Sequence, residues 1–451
     1  MKTKKMNMIR NLAIATALLF SATASAQRQW TLEECIQYAL EHNIQIKQNI
    51  LSSASSQEDV QQSKAALFPS LSASTNQNVA YRPNALSTIN LTNGTMTSSS
   101  NKVSYNGSYG LNASWTVWNG GRNTKNIEKS KYNSELAELQ TEQTANSIQE
   151  QIAQLYVQIL YENEAVRVNE EIVKASEMQR DRAQVMVDVG SLARVDLTQL
   201  EAQVTQDQYS LVSARSQLAN YKLQLKQLLE LHGGEAFDVV IPNIDDSEVL
   251  ALIPSEKDVY MAALNLRPEI ESGKLSIESS HLDLAIAKAG YLPTLNLTAS
   301  IGTNNASGTH TPYFRQLKNN WSNSLGLSIS IPIYDQRSNR TSVNKARIAI
   351  QESELSLMDT EKRLYSDIEN YWLNATTAQQ QYIYAKANVE SMQQSYDLVS
   401  EQFRLGQKNI VELTTGKNNL LQAQQQLLQT KYTALLNRAM LRFYQGEELK
   451  L

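Results

Sequence analysis

The sequence is poor in cysteine and histidine. Of its 451 residues only Cys35 is a cysteine, so no disulfide can form within the chain. The four histidines lack metal-ligand spacing, and neither a glycine-rich phosphate loop nor a nucleophile elbow is present. We therefore expect no catalytic residue, no metal and no cofactor, and a fold that is held by packing or by association.

Long apolar runs are missing after the amino terminus. No stretch beyond residue 26 approaches the roughly 18 apolar residues of a membrane helix, so a membrane role would require β-strands. Residues 1–26 have the pattern of a signal peptide, with four cations, an apolar stretch from Leu12 to Phe20 and a small-residue cleavage site. Their removal takes the formal net charge from -4 to about -8, which argues against a nucleic-acid partner.

Proline is absent from two long stretches, 84–241 and 333–451. Apolar residues within both stretches recur at helical spacing, and proline would interrupt a helix interior. We predict long helices over 123–187 and 339–403, each of about 65 residues or roughly 100 Å. Most acidic residues on the predicted helices are expected to lie on solvated faces.

A glycine follows each long helix, at Gly190 and Gly406, and is suited to reversing the chain. The next segments, 196–230 and 411–446, carry apolar residues at every seventh position. This spacing predicts long antiparallel helices packed as coiled coils. The positions are Leu197, Val204, Leu211, Leu218 and Leu225, and then Leu413, Leu420, Leu427, Ala434 and Leu441.

The sequence contains an internal duplication. Lys64–Pro69 reads KAALFP and Lys288–Pro293 reads KAGYLP, at an offset of 224 in the numbering, whereas the offset between Gly190 and Gly406 is 216. The repeat is far longer than the roughly 20 to 50 residues of a solenoid unit, so it indicates a duplicated half. The predicted divisions are the first repeat 27–230, an equatorial segment 231–254, the second repeat 255–446 and a tail 447–451.

Each repeat is predicted to open with a shorter helix. Thr31 with Glu34 forms a capping-box pattern, and Ser255 with Asp258 forms a weaker one. Cys35 is either a lipid attachment site or a buried small residue, and its place inside an amphipathic segment favours burial. The two helices are predicted over Thr31–Ala66 and Ser255–Gly290.

A predicted pair of strands lies between the opening helix and the long helix of each repeat. Apolar and polar residues alternate within 70–118 and 294–334, in strands of about ten residues, the length that crosses an outer membrane. The connections Arg82–Val103 and Asn304–Asn320 are expected to be loops. A soluble sandwich is the alternative for these strands. Since the smallest membrane barrels use about eight strands, crossing the bilayer would require three chains and twelve strands.

Several segments together resemble the TolC-like outer membrane efflux proteins, over essentially the whole chain after residue 26. Each segment is a weak signal alone, but their order, spacing and duplication make the resemblance specific. The segments are TLEECIQYALEHN at Thr31–Asn43, ALNLRPEI at Ala263–Ile270, KAALFP and KAGYLP, VWNGGR at Val117–Arg122, VGSLARVDL at Val189–Leu197 and LGQKNIVEL at Leu405–Leu413.

The resemblance implies a mainly α fold with β-strands. Long antiparallel helices would form a periplasmic α-barrel, and four strands per chain would contribute to a trimeric 12-stranded transmembrane β-barrel, with a small mixed region in the equatorial segment. It implies a homotrimer in the cell outer membrane that contacts outer membrane lipid and projects into the periplasm. The expected partners are a periplasmic adaptor and an inner-membrane pump of the RND or ABC type, and the channel itself would be passive.

The resemblance also implies a gate at the helix-hairpin tips. Asp196 and Lys408 would form a charge pair that holds the closed tip. Phe403 replaces a family tyrosine, and Glu412 matches a carboxylate at the tunnel constriction, where three copies would favour cations. Thr415 replaces a second family acid. For each position the alternative is a solvated coiled-coil surface.

The tips themselves, 188–195 and 404–410, are expected to contact the adaptor. An export channel is therefore the leading functional hypothesis, and a coiled-coil structural or adhesive surface stalk without channel activity is the alternative. The residues predicted for adaptor contact are Val189, Gly190, Ser191, Leu192, Leu405, Gly406 and Gln407.

Overall fold

The computed structural model describes residues 29–83, 88–92, 95–99, 102–231, 237–309 and 311–451. The predicted signal peptide lies outside the described residues. None of the helices in the described ranges has an apolar stretch long enough to span a bilayer.

The described chain is mainly helical with a smaller β component. In chain order its elements are β1 (Gln29–Trp30), α1 (Leu32–His42), α2 (Ile44–Ala65), β2 (Ser70–Tyr81), β3 (Thr88–Thr92), β4 (Thr95–Ser99), β5 (Val103–Trp118), α3 (Arg122–Asp188), α4 (Arg194–Leu228), β6 (Asp238–Val239), α5 (Asp246–Val249), α6 (Glu256–Leu266), α7 (Pro268–Ala289), β7 (Thr294–Ala306), α8 (Tyr313–Asn319), β8 (Ser322–Ser330), α9 (Ser338–Arg404) and α10 (Ile410–Tyr444).

The helices begin and end at equivalent positions in the two repeats. Helices α3 and α9 both have 67 residues, and α4 and α10 both have 35. Each long helix begins one residue before and ends one residue after its predicted bounds. The offset of 216 relates all four bounds of α9 and α10 to those of α3 and α4, and the offset of 224 relates the bounds of α6 and α7 to those of α1 and α2.

The single opening helix predicted for each repeat is wrong, because both are broken in two. At the first break the Asn43 side-chain oxygen accepts backbone N–H bonds from Gln45 and Ile46, at 2.9 and 3.3 Å, and so begins a new helix. At the second break Arg267 has extended backbone because it precedes Pro268, which then occupies the first position of α7. Asn43 and Arg267 are equivalent positions of the two repeats.

The two predicted capping boxes differ in outcome. The Thr31 and Glu34 box is confirmed, with both reciprocal hydrogen bonds at 3.1 Å. At Ser255 the prediction is wrong, since within the described residues its side chain makes no cap hydrogen bond. The acid three residues later is Asp258, one methylene shorter than the glutamate that closes the first box.

The described chain divides into two compact units. The first unit comprises the described residues up to Ile50, Gln140–Glu271 and Asp359–Leu451, and the second comprises Leu51–Leu139 and Ser272–Met358. Each unit therefore contains matching parts of both repeats.

An antiparallel four-stranded sheet forms the β part of the second unit. Its order is β2-β5-β7-β8, so that the strand pairs of the two repeats join through β5 and β7. The predicted strands are present, although β8 ends at Ser330, before Pro332, which lacks the N–H that would continue the ladder. Within the described ranges, the outer edges of β2 and β8 pair with no further strand.

The two connections that were expected to be loops contain regular structure. The first includes the antiparallel hairpin β3-β4, and the second includes the short helix α8, which begins after Pro312. Helix α8 is held on the sheet by a Tyr109–Tyr313 hydroxyl hydrogen bond of 2.8 Å and by the Thr303 hydroxyl, which donates to the Leu317 carbonyl at 2.6 Å.

The equatorial segment belongs to the first unit and joins the amino terminus of the described chain. Strand β6 pairs in parallel with β1, and the Tyr156 hydroxyl donates to the Val240 carbonyl at 2.7 Å. Cys35 on α1 is fully buried in this unit, and burial raises the pKa of its thiol to about 12. This position agrees with the interpretation of Cys35 as a packing residue.

The turn between β5 and α3 contains two glycines with different surroundings, and this difference allows the packing of the second unit to be tested. Gly120 and Gly121 both have left-handed backbone, with φ of 70° and 79°. A Cβ at Gly120 would lie 2.9 Å from the Leu292 Cβ and 3.0 Å from the Ala289 carbonyl oxygen, whereas among the described atoms nothing lies within 4 Å of a Cβ at Gly121.

We predict that Gly120→Ala destabilises the protein more than Gly121→Ala. Both substitutions carry the left-handed penalty of about 1–2 kcal/mol, and Gly120→Ala adds an overpacking cost of about 1–3 kcal/mol. Thermal unfolding of the detergent-solubilised variants, followed by circular dichroism, measures the difference. Equal losses of melting temperature in the two variants would contradict the packing of this turn.

Candidate functional site at the helical hairpin tips

Each hairpin tip is a tight turn built from the same hydrogen bonds. In the first tip the Gly190 N–H donates to the Val187 carbonyl at 2.9 Å, and the Ser191 N–H donates to the Met186 carbonyl at 2.8 Å. Both bonds recur at the equivalent positions around Gly406, at 3.0 and 2.9 Å. The glycines have φ of 76° and 74°, the left-handed conformation that ends a helix and reverses the chain.

The two tips share an apolar cluster in the first unit. It joins side chains of α3 and α4 to side chains of α9 and α10, so the hairpins of one chain pack against each other directly behind the turns. The predicted gate residue Phe403 is buried here, and it fills the cluster without presenting a hydroxyl. The cluster consists of Ala183, Leu197, Leu200, Phe403, Ile410 and Leu413, with Val187, Leu192, Tyr396 and Val399 packed against it.

A capping box holds the second tip and organises its charges. Asn409 accepts a hydrogen bond from the Glu412 N–H at 2.9 Å, and the Glu412 carboxylate accepts one from the Asn409 N–H at 3.2 Å. The same carboxylate forms an ion pair with Lys408. These donors, Lys408 first, hold the pKa of the Glu412 carboxyl below its usual range. The box was not predicted, although the spacing of Asn409 and Glu412 is its ordinary sequence signal.

The predicted Asp196–Lys408 pair is not formed within the chain. Lys408, in the turn before α10, pairs with Glu412 instead, four residues further along the chain. Asp196 lies in the first turn of α4, and among the described residues it has no ion pair, while the cap position Ala193 offers no side-chain hydrogen bond. The two tips are therefore chemically different, since the second is capped and charge-paired and the first is not.

The residues predicted for adaptor contact divide into two groups. Leu192 packs against the apolar cluster of the tips. Val189 and Leu405 project large apolar side chains, and they are 72% and 59% exposed. The remaining residues, Gly190, Ser191, Gly406 and Gln407, are also exposed.

Behind the tips lies a buried polar network that was not predicted. Lys417 on α10 forms an ion pair with Asp207 on α4, and their side chains are 4% and 6% exposed. Burial lowers the pKa of Lys417, and the attraction of Asp207 opposes that shift. Asp207 is an exception to the expectation that most acidic residues on the helices lie on solvated faces. The sequence did contain a signal for this pair. Asp207 lies three residues after Val204 and Lys417 lies four residues after Leu413, so both fall on the apolar faces of their helices.

The family model described as "Outer membrane efflux protein" matches residues 35–230 and 259–447, that is, both repeats. The chain belongs to this family. The family consists of outer membrane channel proteins and not of enzymes, and membership assigns the chain to the outer membrane.

Curated relatives agree with this assignment. The outer membrane protein TolC of Salmonella enteritidis is 23% identical over 297 residues, which cover 65% of this chain and 60% of TolC. The outer membrane efflux protein BepC of Brucella suis is 21% identical over 360 residues, or 79% of this chain and 75% of BepC. The chain thus spans less than two thirds of the length of TolC, whereas it spans three quarters of the length of BepC.

Solved structures show the same fold. CusC aligns with a TM-score of 0.76 at 17% identity, covering 92% of both chains. The CmeC outer membrane channel of Campylobacter jejuni gives 0.75 at 18% identity, over 93% of this chain and 87% of CmeC. The outer membrane protein VceC of Vibrio cholerae gives 0.74 at 16% identity, over 93% and 97%. The predicted class, a mainly α chain with β-strands that shares its fold with outer membrane channels, is confirmed.

The difference between the tips yields a matched pair of stability predictions. Asn409→Ala removes the cap of α10 and is expected to cost about 0.5–2 kcal/mol. Ala193→Asn places a cap at the uncapped start of α4, where the backbone is already extended, and should stabilise by up to about 1 kcal/mol. Thermal unfolding with circular dichroism compares the two. Shifts in the same direction would refute the assigned cap positions.

Proposed function

We propose that this chain is the outer membrane channel of a tripartite efflux or secretion system. It would passively conduct substrates that a periplasmic adaptor and an inner-membrane pump of the RND or ABC type deliver. The observation that carries the proposal is the family match across both repeats. The fold likeness to outer membrane channels over more than nine tenths of the chain favours this function over a surface stalk.

A homotrimer is part of the proposal, and the open sheet supports it. Backbone groups at the edges of β2 and β8 need partners, because the hydrocarbon of a membrane supplies no hydrogen bonds. Pairing β2 of one copy with β8 of the next satisfies both edges. Three copies of the four-stranded sheet then close twelve strands around a lumen.

Two apolar stripes on the helices support the same assembly. Each stripe has large exposed side chains spaced by fourteen residues, or two heptads, the spacing of a coiled-coil contact. Both stripes are uncovered in the single chain, so α4 of one copy would pack against α9 of the next. The stripes are Val195, Tyr209 and Leu223 on α4, and Tyr384 and Leu398 on α9.

The function is tested on protein isolated from outer membranes. We expect a detergent-stable trimer by light scattering and ion conduction in planar lipid bilayers. Tyr209→Asp with Leu398→Asp should shift the trimer equilibrium toward monomer by roughly tenfold or more, because the assembly would bury unpaired carboxylates.

Met178→Asp is the matched control, since Met178 is equally exposed but lies on α3, outside both stripes. It should leave the trimer intact. Wild-type protein that is soluble, monomeric and non-conducting would overturn the channel and favour the stalk.

The tips are proposed as the gate and the adaptor contact. Exposed Val189 and Leu405 suit an apolar contact with the adaptor, and three copies of Glu412 would make an acidic ring. In the trimer Asp196 of one copy would lie within reach of Lys408 of another, although Lys408 pairs with Glu412 inside the chain.

We predict that Asp196→Ala combined with Lys408→Ala raises single-channel conductance, because the closed tips lose a charge contact between copies. The measurement is single-channel current in planar bilayers. The control is Glu401→Ala with Arg404→Ala, an exposed pair within α9 near the same tip, which should leave the current unchanged. Currents equal to the wild type in the Asp196 and Lys408 variant would reject the gate assignment.

A further inference from the structure

The four-stranded sheet has one apolar face and one polar face. Side chains alternate between the two faces of a strand, so Leu297 and Ile301 of β7 share a face with Leu111 of β5, which is paired with Ile301. The opposite face of both strands carries chiefly serine, threonine, asparagine and glycine. In the proposed channel the apolar face therefore contacts lipid, and the polar face lines the lumen.

The apolar face ends at a definite level along the strands. After Ile301, the next side chains of β7 on the same face are those of Thr303 and Asn305, and Thr303 is paired with Tyr109 of β5. Hydroxyl and amide groups are costly in hydrocarbon, and tyrosine is enriched where lipid tails meet headgroups. The pair of Tyr109 and Thr303 therefore marks the boundary between tails and headgroups.

Helix α8 lies on the apolar face at this boundary. The Tyr313 hydroxyl shares a hydrogen bond with the Tyr109 hydroxyl, and the Leu317 carbonyl accepts one from Thr303. Strands β5 and β7 are the central strands of the sheet, whereas copies of the chain would pair at the outer edges of β2 and β8. A second copy is therefore not the expected neighbour of α8, and its outward side is left to the membrane.

The outward side of α8 is both basic and aromatic. Phe314 is 82% exposed, and Arg315 and Lys318, which lie one helical turn apart, are exposed beside it. The sequence has no aspartate or glutamate in residues 60–127 or 284–334, which contain all four strands of the sheet and their connections. This part of the chain therefore supplies no carboxylate that could neutralise the two cations.

We propose that α8 is a docking site for the phosphorylated headgroup of a lipid in the outer leaflet. Arg315 and Lys318 bind the phosphate by charge-assisted hydrogen bonds, and Phe314 inserts beside the acyl chains. The leaflet follows from the chain order, because α7 precedes β7 and α9 follows β8 at the opposite end of the sheet. This inference rests on the proposed channel function, which places the apolar face in the membrane.

Charge at the same end of the sheet supports a lipid as the occupant. A second pair of exposed cations, Arg82 and Lys102, lies where β2 and β5 end, and the Arg82 N–H donates to the Lys102 carbonyl at 2.7 Å. The phosphates of a leaflet form an anionic layer that matches these cations in sign. Because the cations of α8 adjoin the apolar face of the sheet, an amphiphile contacts both surfaces, whereas a soluble anion contacts only the cations.

Lipid binding to the full chain, isolated from outer membranes and delipidated in detergent, tests the site. The probes are lipid A with both phosphates and the same lipid after dephosphorylation, and native mass spectrometry measures the Kd of each. We expect wild type to bind the phosphorylated lipid roughly tenfold or more tightly. Arg315→Gln with Lys318→Gln should remove that preference, because both cations near the headgroup are lost. Phe314→Ala should weaken the binding of both lipids by a similar factor, since it removes only apolar contact.

The matched control is Lys345→Gln with Arg347→Gln. These exposed cations lie on α9, and their substitution changes the net charge by the same amount, so the Kd for lipid A should stay at its wild-type value. The site is overturned if this control loses as much affinity as the Arg315 and Lys318 variant. It is also overturned if wild type binds both lipids equally, or if the variant keeps the preference for phosphate.

Competition with inorganic phosphate separates a lipid site from a site for a free anion. Inorganic phosphate at the same molar concentration as lipid A should leave the lipid bound, and its displacement of the lipid would overturn the docking of a headgroup.

Planar bilayers separate the site from the channel function. A conducting wild type without a preference for phosphorylated lipid overturns the site and leaves the proposed function standing. A wild type that prefers phosphorylated lipid but does not conduct overturns the proposed function and supports the headgroup site on α8.

Discussion

Apolar packing at every seventh position of α4 and α10 is the interaction on which the other features depend. A hairpin of two long helices has few neighbours of its own, and this chain has no disulfide to hold it. In the single chain, three of the ten heptad side chains are partly open and the others are buried, near the tips and toward the carboxyl end of each helix. Within the first unit this seam brings the two tips into one cluster.

Several surfaces of the single chain remain without a packing or pairing partner. The sheet has two open edges, and α4 and α9 each carry an apolar stripe that nothing in the described chain covers. A chain that satisfied these surfaces internally would need more strands and more helices. In the proposed homotrimer, repetition of the whole chain around an axis would supply them without new sequence, which is the usual solution of closed symmetric oligomers.

Much of the fold could be predicted from the sequence, because local signals decide it. Long proline-free stretches and two glycines placed the ends of α3 and α9 within one residue, and alternation located the four strands of the sheet. The break at Pro268 had a visible signal, whereas the break at Asn43 depends on a side chain that caps a helix in mid-segment. The hairpin β3-β4 and helix α8 are too short for periodicity to distinguish from loop.

The site was less predictable, because its contacts join distant residues. The turns at Gly190 and Gly406 follow from local chemistry, and so does the cap at Asn409 once its spacing with Glu412 is considered. Lys417 and Asp207 are 210 residues apart in sequence, so only the folded seam brings them together. The preference of Lys408 for Glu412 has a local cause, since the capping box holds the Glu412 carboxylate beside Asn409, the next residue after Lys408, whereas Asp196 belongs to another hairpin.

The identical offsets of the helix boundaries have a consequence for how such a chain can change in length. One residue inserted into a long helix rotates every later side chain by about 100° around the helix axis, which would turn the heptad leucines away from the seam. Strands and their connections tolerate extra residues far better, since added length can be absorbed at the surface. The difference in length between the repeats falls between the opening helices and the long helices, and the opening and hairpin helices have the same lengths in both repeats. The lengths of the hairpins are thus fixed by their packing, and the difference in length between the repeats is confined to the strands and connections that lie between the opening and long helices.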